Sequence, residues 1–250
     1  MPDAVRYGLV AVVVFSTAFQ EGITGFGCTV LALPFVTLLL GLNVAIPVLV
    51  IQAWVLALLI VLESRRHIVW HEFRHIALLV GVGLPLGMWL RQSVSEHDLK
   101  WIVAGFMVAV GVQGLARQFV GGQHSKMTPR KKLFTSMFLP LGGVIHGAFA
   151  TGGPLVVIYA ARAITDKTLF RVTLCMVWVV MNTILIGQRM ASSTLPGSTV
   201  KTAMCCLPFT LLGLVFGNRA HYRINERAFR KVVYSVLIAS GIVLVWSLVG

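Results

Sequence analysis

Two ionisable side chains stand deep in long apolar stretches of this chain, Glu21 in the first and His146 in the second, each beside a cluster of glycines. An ionisable group that a membrane interior would surround is costly to keep there, which makes it a candidate for a substrate, ion or proton pathway. The pair is chemically complementary. Histidine takes up or releases a proton near neutrality, and a carboxylate can do the same when its surroundings change. Two readings stand side by side: a proton relay or substrate-sensitive pair built from Glu21 and His146, or an internal polar contact that fastens two segments together.

The sequences around these residues offer more than charge. The first reads Glu21-Gly22-Ile23-Thr24-Gly25-Phe26-Gly27 and the second His146-Gly147-Ala148-Phe149-Ala150-Thr151-Gly152-Gly153-Pro154. Glycine admits non-helical backbone, and proline removes an amide donor and clashes with the preceding turn, so a helix is expected to break in each. Helix starts after Gly27 and Gly153 would present unpaired N–H groups, which suit an anion without any lysine or arginine. Thr24, Thr29 and Thr151 add hydroxyls. Gln52 and Asn182, each inside another apolar stretch, either line the same pathway or act as hydrogen-bonded fasteners between helices. The expected substrate-binding set is therefore Glu21, Gly22, Thr24, Gly25, Phe26, Gly27 and Gln52 from the first part of the chain, with His146, Gly147, Thr151, Gly152, Gly153 and Asn182 from the second.

Other chemistry is poorly represented. His67, His71 and His75 have the spacing of one helix face, but they lie in the basic stretch 65–75, which reads as an interfacial helix anchored by Trp70 rather than as a metal site. The cysteines at 28, 175, 205 and 206 form no CxxC pair and read as packing residues. The sequence has no P-loop, nucleophile elbow or paired hydrolase carboxylates, so neither an enzyme nor a resident cofactor or metal is expected.

The elements that must position these residues follow from composition. Of 250 residues 57% are apolar and 12% charged, and the mean hydropathy is +0.87, values that a water-facing surface does not permit. The chain is thus an all-α polytopic membrane protein with the lipid bilayer as its solvent. Its 21 Lys and Arg against 8 Asp and Glu are an orientation signal, and nucleic-acid binding is not expected. The apolar segment from Ala4 to Phe19 lacks the basic n-region and cleavage site of a signal peptide, so it is expected to stay in the mature protein.

A crossing helix needs about 20 mainly apolar residues. Candidates are 43–62, 76–90, 101–119, 169–188, 202–217 and 232–249. Segments 4–41 and 133–164 are too long for one crossing and hold the two glycine clusters. Each reads as a glycine-broken hairpin, either re-entrant or fully crossing, whose irregular backbone must face a cavity because lipid cannot satisfy it.

The hairpins also belong to an internal repeat. An offset of 125 residues superposes Glu21 on His146, Gly22 on Gly147 and Gly27 on Gly152. An offset of 130 superposes Gln52 on Asn182, Gly83 on Gly213, Gly87 on Gly217 and Lys100 on Arg230. If both long segments crossed once, the Lys and Arg residues would divide 11 to 10 between the two sides of the membrane; with hairpins they divide 16 to 5. The second topology obeys the positive-inside rule. One hairpin and three crossings per half give an inverted-topology repeat, residues 1–125 and 126–250, with loops 63–75, 117–132, 162–171 and 218–231 cytoplasmic and both termini outside. In such folds the broken helices meet near the midplane and build the substrate site.

The motifs Phe19-x-x-Gly22-x-x-Gly25-Phe26-Gly27 followed by Pro34, and Gly143-x-x-x-Gly147-x-x-x-x-Gly152-Gly153, resemble those of the sulfite exporter TauE/SafE family, and the likeness extends through the Gly83/Gly87 and Gly213/Gly217 pairs. The chain departs from the family pattern at Cys28, Ala150 and Pro154. The resemblance implies a permease for sulfite, sulfonates or related anions in a bacterial-type inner membrane. A secondary transporter of small anions, with protons as a candidate coupling ion, is the leading expectation; a small-anion channel and a non-transporting membrane subunit are the alternatives. A homo-oligomer is compatible with the small-residue packing faces.

Overall fold

The computed structural model describes residues 3–93, 95–119 and 129–221, with isolated positions 223, 238, 242, 245 and 246 near the C-terminus. The expected crossing 232–249, most of loop 117–132 and most of loop 218–231 lie outside the described residues. Ten α-helices and a short 3-10 turn make up the described chain, with no strand among them: α1 (Asp3–Thr24), α2 (Cys28–Leu40), α3 (Leu42–Ser64), the turn Arg65–His67, α4 (Trp70–Ser93), α5 (Glu96–Phe119), α6 (Pro129–Ser136), α7 (Phe138–Phe149), α8 (Gly153–Ala163), α9 (Lys167–Ala191) and α10 (Gly197–His221). Five of these stretches are long and apolar enough to cross a membrane: Val5–Thr24, Leu42–His67, Trp70–Ser93, Lys167–Ala191 and Gly197–His221. At 1.5 Å per residue α2, α7 and α8 reach only about 20, 18 and 16 Å, well short of a hydrocarbon core of about 30 Å.

Apolar side chains that would be anomalous on a soluble protein cover the outside. Leu78, Val82, Leu86 and Trp89 of α4 are all more than half exposed, as expected of a face turned to lipid. Trp70 and Trp89 bracket this stripe. Nineteen residues of helix separate them by about 29 Å, close to the thickness of a hydrocarbon core, the spacing expected of two interfacial anchors.

The start of α4 differs from the sequence expectation. Residues 70–75 are not a separate interfacial helix; they are the first turns of α4 itself. Basic side chains lower hydropathy at a helix end, but hydropathy reports lipid depth and not where the backbone stops being helical. The three histidines do not share one helix either, because the chain is extended at Ile68 (φ −76°, ψ 124°) between His67 and α4. His75 instead bonds Ser136 Oγ at 3.0 Å and its ring lies against Tyr159.

Small residues set the packing. Gly83 and Gly87 of α4 press on the carbonyls of Pro140 and Val144 in α7, while Gly143 and Gly147 of α7 press back on Val80 and Leu84. Contacts advance by four residues on both helices, so α4 and α7 run parallel. Gly213 and Gly217 of α10 meet the carbonyls of Phe15 and Phe19 in α1 with the same step, and these two helices are parallel too. Association in lipid depends on such close van der Waals approach, since apolar burial gives no advantage over lipid tails. By contrast α3 and α9 are antiparallel: Trp54 Nε1 donates to Thr183 Oγ1 at 2.8 Å, and Val69 N donates to Thr173 Oγ1 at 3.0 Å.

These registers gather residues at two ends. At one end Arg171 bonds Asn218, Asn218 donates to Glu63 at 3.0 Å, and Lys167 donates to the His221 carbonyl at 3.1 Å. At the other, Arg91 at the end of α4 reaches Asn43 Oδ1 at the start of α3, 3.2 Å away.

Candidate functional site

Where α1 gives way to α2, Gly25 and Gly27 take left-handed conformations, φ +78° and +102°. Gly25 has a second reason to be glycine: a Cβ there would lie 2.8 Å from the Arg171 carbonyl oxygen. Gln20 holds the turn together, its Nε2 donating to Thr24 Oγ1 at 3.0 Å and to the Phe26 carbonyl at 2.9 Å. Glu21, 3% exposed, folds back from α1 so that its Oε2 accepts from the amide of Cys28, the first residue of α2, at 2.8 Å. A carboxylate on the first amide of a helix is a favourable cap, because it meets both an orphan N–H and the positive end of the dipole. Arg171 is close enough to Glu21 for their charges to attract.

Where α7 gives way to α8, Ala150 is left-handed at φ +57°, and its amide donates to the His146 carbonyl at 2.7 Å. His146, also 3% exposed, bonds Asn182 Oδ1 through Nε2 at 3.1 Å and stacks on Trp178 with 5.3 Å between ring centroids. Its Nδ1 is buried with no hydrogen-bond partner, and so is Thr151 Oγ1.

The two turns meet. The Trp178 indole N–H donates to the Gly25 carbonyl at 3.1 Å while the ring stacks on His146, so one residue of α9 touches both. A Cβ on Gly153 would sit 3.7 Å from Trp178 Cζ2 and 3.9 Å from Phe26 Cβ. Between them lies a small, partly open cavity lined by Glu21, Gly27, Thr29, Val30, Ala53, His146, Ala150, Gly153, Trp178 and Asn182.

Of the residues singled out from sequence, Glu21, Gly27, His146, Gly153 and Asn182 thus come together around one cavity, with Thr29 beside them. Gly25 and Phe26 form the neighbouring turn, Phe26 packing edge-on to Phe170. Thr24 is spent inside that turn, its Oγ1 donating toward the Gln20 and Phe26 carbonyls at 3.1 and 3.0 Å. Gly152 lies under Gly142, and Thr151 sits between two cavity-lining residues, Ala150 and Gly153. Gly22 and Gly147 are contact points, against Gly217 and against α4. Gln52 is not at the cavity: its Nε2 donates to the Ala203 carbonyl and its Oε1 accepts from Thr210, both at 2.5 Å, tying α3 to α10.

Two residues escaped the sequence reading. Trp178 looked like one more apolar position, although a buried indole needs a partner for its N–H and so flags a specific contact. Arg171 was counted with the loop 162–171; it lies in α9 and is 8% exposed.

A bundle of helices, five of them long and apolar enough to cross a membrane, with a carboxylate and an imidazole lining one small cavity, is the architecture of a polytopic membrane protein. The chain belongs to the Sulfite exporter TauE/SafE family, whose model matches residues 9–244. It is also similar to a probable inner membrane transporter protein, TsaS, of Comamonas testosteroni, with 27% identity over 178 residues, 71% of this chain and 72% of that protein. No solved structure matches it.

Proposed function

We propose that this protein is a secondary transporter of small sulfur-containing anions, sulfite or organosulfonates, and that it works as two inverted halves, residues 1–125 and 126–250, in a bacterial-type inner membrane. Substrate binds between the two helix breaks, near Glu21, Gly27, His146, Gly153 and Asn182, and a proton moves with it. The observation that carries the reading is the convergence of both breaks, with Glu21, His146 and Asn182, on one cavity within a family of exporters.

Residue-by-residue equivalence supports the repeat. The α1 residues that α10 contacts, Phe15 and Phe19, are 125 positions before Pro140 and Val144, which α4 contacts; Gly213 and Gly217 are 130 positions after Gly83 and Gly87. The correspondence continues to the helix tips. His221 bonds the Ile23 carbonyl at 2.6 Å, and Arg91, its equivalent 130 positions earlier, reaches the carbonyl of Ala148, the equivalent of Ile23, at 3.4 Å. Gly25 and Ala150, equivalent by 125, are both left-handed and both donate their amide four residues back, to Glu21 and His146, at 2.7 Å. Each half therefore lends a helix that clamps the other half's broken helix. The inverted orientation is further supported by the gathering of Glu63, Lys167, Arg171 and Asn218 at one end, the end the charge count assigns to the cytoplasm. The termini then lie on the opposite side.

Uptake into proteoliposomes of sulfite, thiosulfate, sulfoacetate and taurine, with carboxylate controls, at two pH values tests this. Saturable flux with counterflow of a sulfur anion is expected. No flux of any of them overturns the reading, and rates far above carrier turnover make it a channel. Glu21→Gln and His146→Ala are expected to abolish the pH dependence; a dependence unchanged in both removes the proton.

A further inference from the structure

The two helix starts that face the cavity are equivalent by the repeat but not in chemistry. The first amide of α2 already holds an anion, the Glu21 carboxylate at 2.8 Å. Any second anion placed there meets that charge at close range. At the position equivalent to Glu21 the second half has His146, and among the described residues no carboxylate bonds to the start of α8. Two polar atoms beside α8 are buried without a partner, His146 Nδ1 and Thr151 Oγ1, each in a residue 3% exposed. Native structures rarely leave such atoms unpaired unless a ligand, an ion or water completes them.

From this asymmetry we infer that the substrate's anionic oxygens dock on one side of the cavity only, at the start of α8, held by His146 Nδ1–H and the Thr151 hydroxyl. The inference rests on the transport reading above and refines where its substrate sits.

The imidazole makes the docking proton-dependent. Nε2 faces Asn182 Oδ1, an acceptor, so Nε2 carries the hydrogen in the neutral ring and Nδ1 presents a lone pair. A lone pair repels an oxyanion. Only the doubly protonated ring donates from Nδ1, so the anion and one proton arrive together, the proton leaving with the anion and restoring the neutral ring. Asn182 positions this ring from α9, and Trp178 supports its face. The charged and titratable groups around it are few. Glu21 faces it from α1 with Cys28 alongside, Arg171 and Cys175 of α9 neighbour Glu21, and Arg91 of α4 bonds the Ala148 carbonyl on α7 itself. Glu72 and His75 of α4 and Tyr159 of α8 form a separate cluster. The ligand class that fits is a compact oxyanion or sulfonate headgroup, which can accept from both donors at once.

Sulfite binding to the purified protein by calorimetry, and sulfite uptake into proteoliposomes, test this on the wild type, Thr151→Val, Thr151→Ser, His146→Asn and Glu21→Gln. Thr151→Val is expected to weaken sulfite binding at least tenfold and Thr151→Ser to restore it. Wild-type binding of methanesulfonate, an anion that does not titrate near neutrality, tightens as pH falls, and in His146→Asn that dependence is flat. Glu21→Gln tightens binding, because the repelling charge is gone. Unchanged binding in Thr151→Val, or a pH dependence that persists in His146→Asn, takes the anion away from the start of α8 and overturns the inference. If the wild type binds sulfite with the expected variant pattern but carries none, the docking side stands and the transport reading falls; if it neither binds nor carries sulfite, both fall.

Discussion

Ala150 holds a conformation that L-residues avoid, whereas its repeat equivalent is Gly25. The left-handed region costs a residue with a Cβ about 1 kcal/mol, so Ala150→Gly is expected to stabilise the protein by about 1 kcal/mol and raise its Tm in detergent by about 2–4 °C. The reverse change is not symmetrical. Gly25→Ala adds the same conformational cost to a collision with the Arg171 backbone, and a loss of about 3 kcal/mol is expected. At Trp178 the ring and its N–H have separate tasks. Trp178→Phe keeps a ring to stack on His146 but leaves the Gly25 carbonyl only the weaker Cys175 thiol donor at 3.7 Å, for an expected cost of about 1 kcal/mol, readable as a lower Tm. Glu21 and His146 were legible in the sequence because an ionisable group in an apolar run is conspicuous by type alone. Trp178 and Arg171 were not, since what singles them out is which turn they touch.

Helix pairs rest on glycine at defined steps. Gly87→Leu or Gly217→Leu would force α4 from α7 or α10 from α1, and a near-complete loss of folded protein in size-exclusion chromatography is expected for either. Gly81 is on α4 as well but has nothing within 4 Å of its missing Cβ, so Gly81→Leu should elute like the wild type. The sequence marks both glycine pairs as packing faces; the surfaces they meet could not be read, because a small residue invites any close neighbour equally. Element boundaries were legible where hydropathy and backbone agree, as at the start of α3. They were misread at α4, whose basic first turns lower the hydropathy while the backbone stays helical.

For the whole molecule the proposed inverted arrangement makes a labelling pattern. Single cysteines on a cysteine-free background at Arg66 and Arg219 should react with an impermeant reagent from the cytoplasmic side only, and those at Gln92 and Thr194 from the opposite side only. Reaction of Arg66→Cys and Arg219→Cys from different sides would undo the topology. The positive-inside count already pairs these regions, and the Asn218 to Glu63 contact brings them to the same end. Charge distribution acts at the scale of the bilayer, which is why sidedness leaves a trace in composition.

The amino-acid sequence alone determined the solvent this protein folds in, the places where its helices must give way and the two ionisable groups beside them, because hydrophobic content, glycine and proline act locally and leave their mark in order along the chain. Only the tertiary structure decided that Glu21 is spent on the amide of Cys28, that Gln52 ties α3 to α10 away from the cavity, and that Trp178 spans both turns. Hydrogen-bond partners and empty space are relations between residues far apart in the chain, and no local pattern encodes which of many compatible neighbours will be within 3 Å.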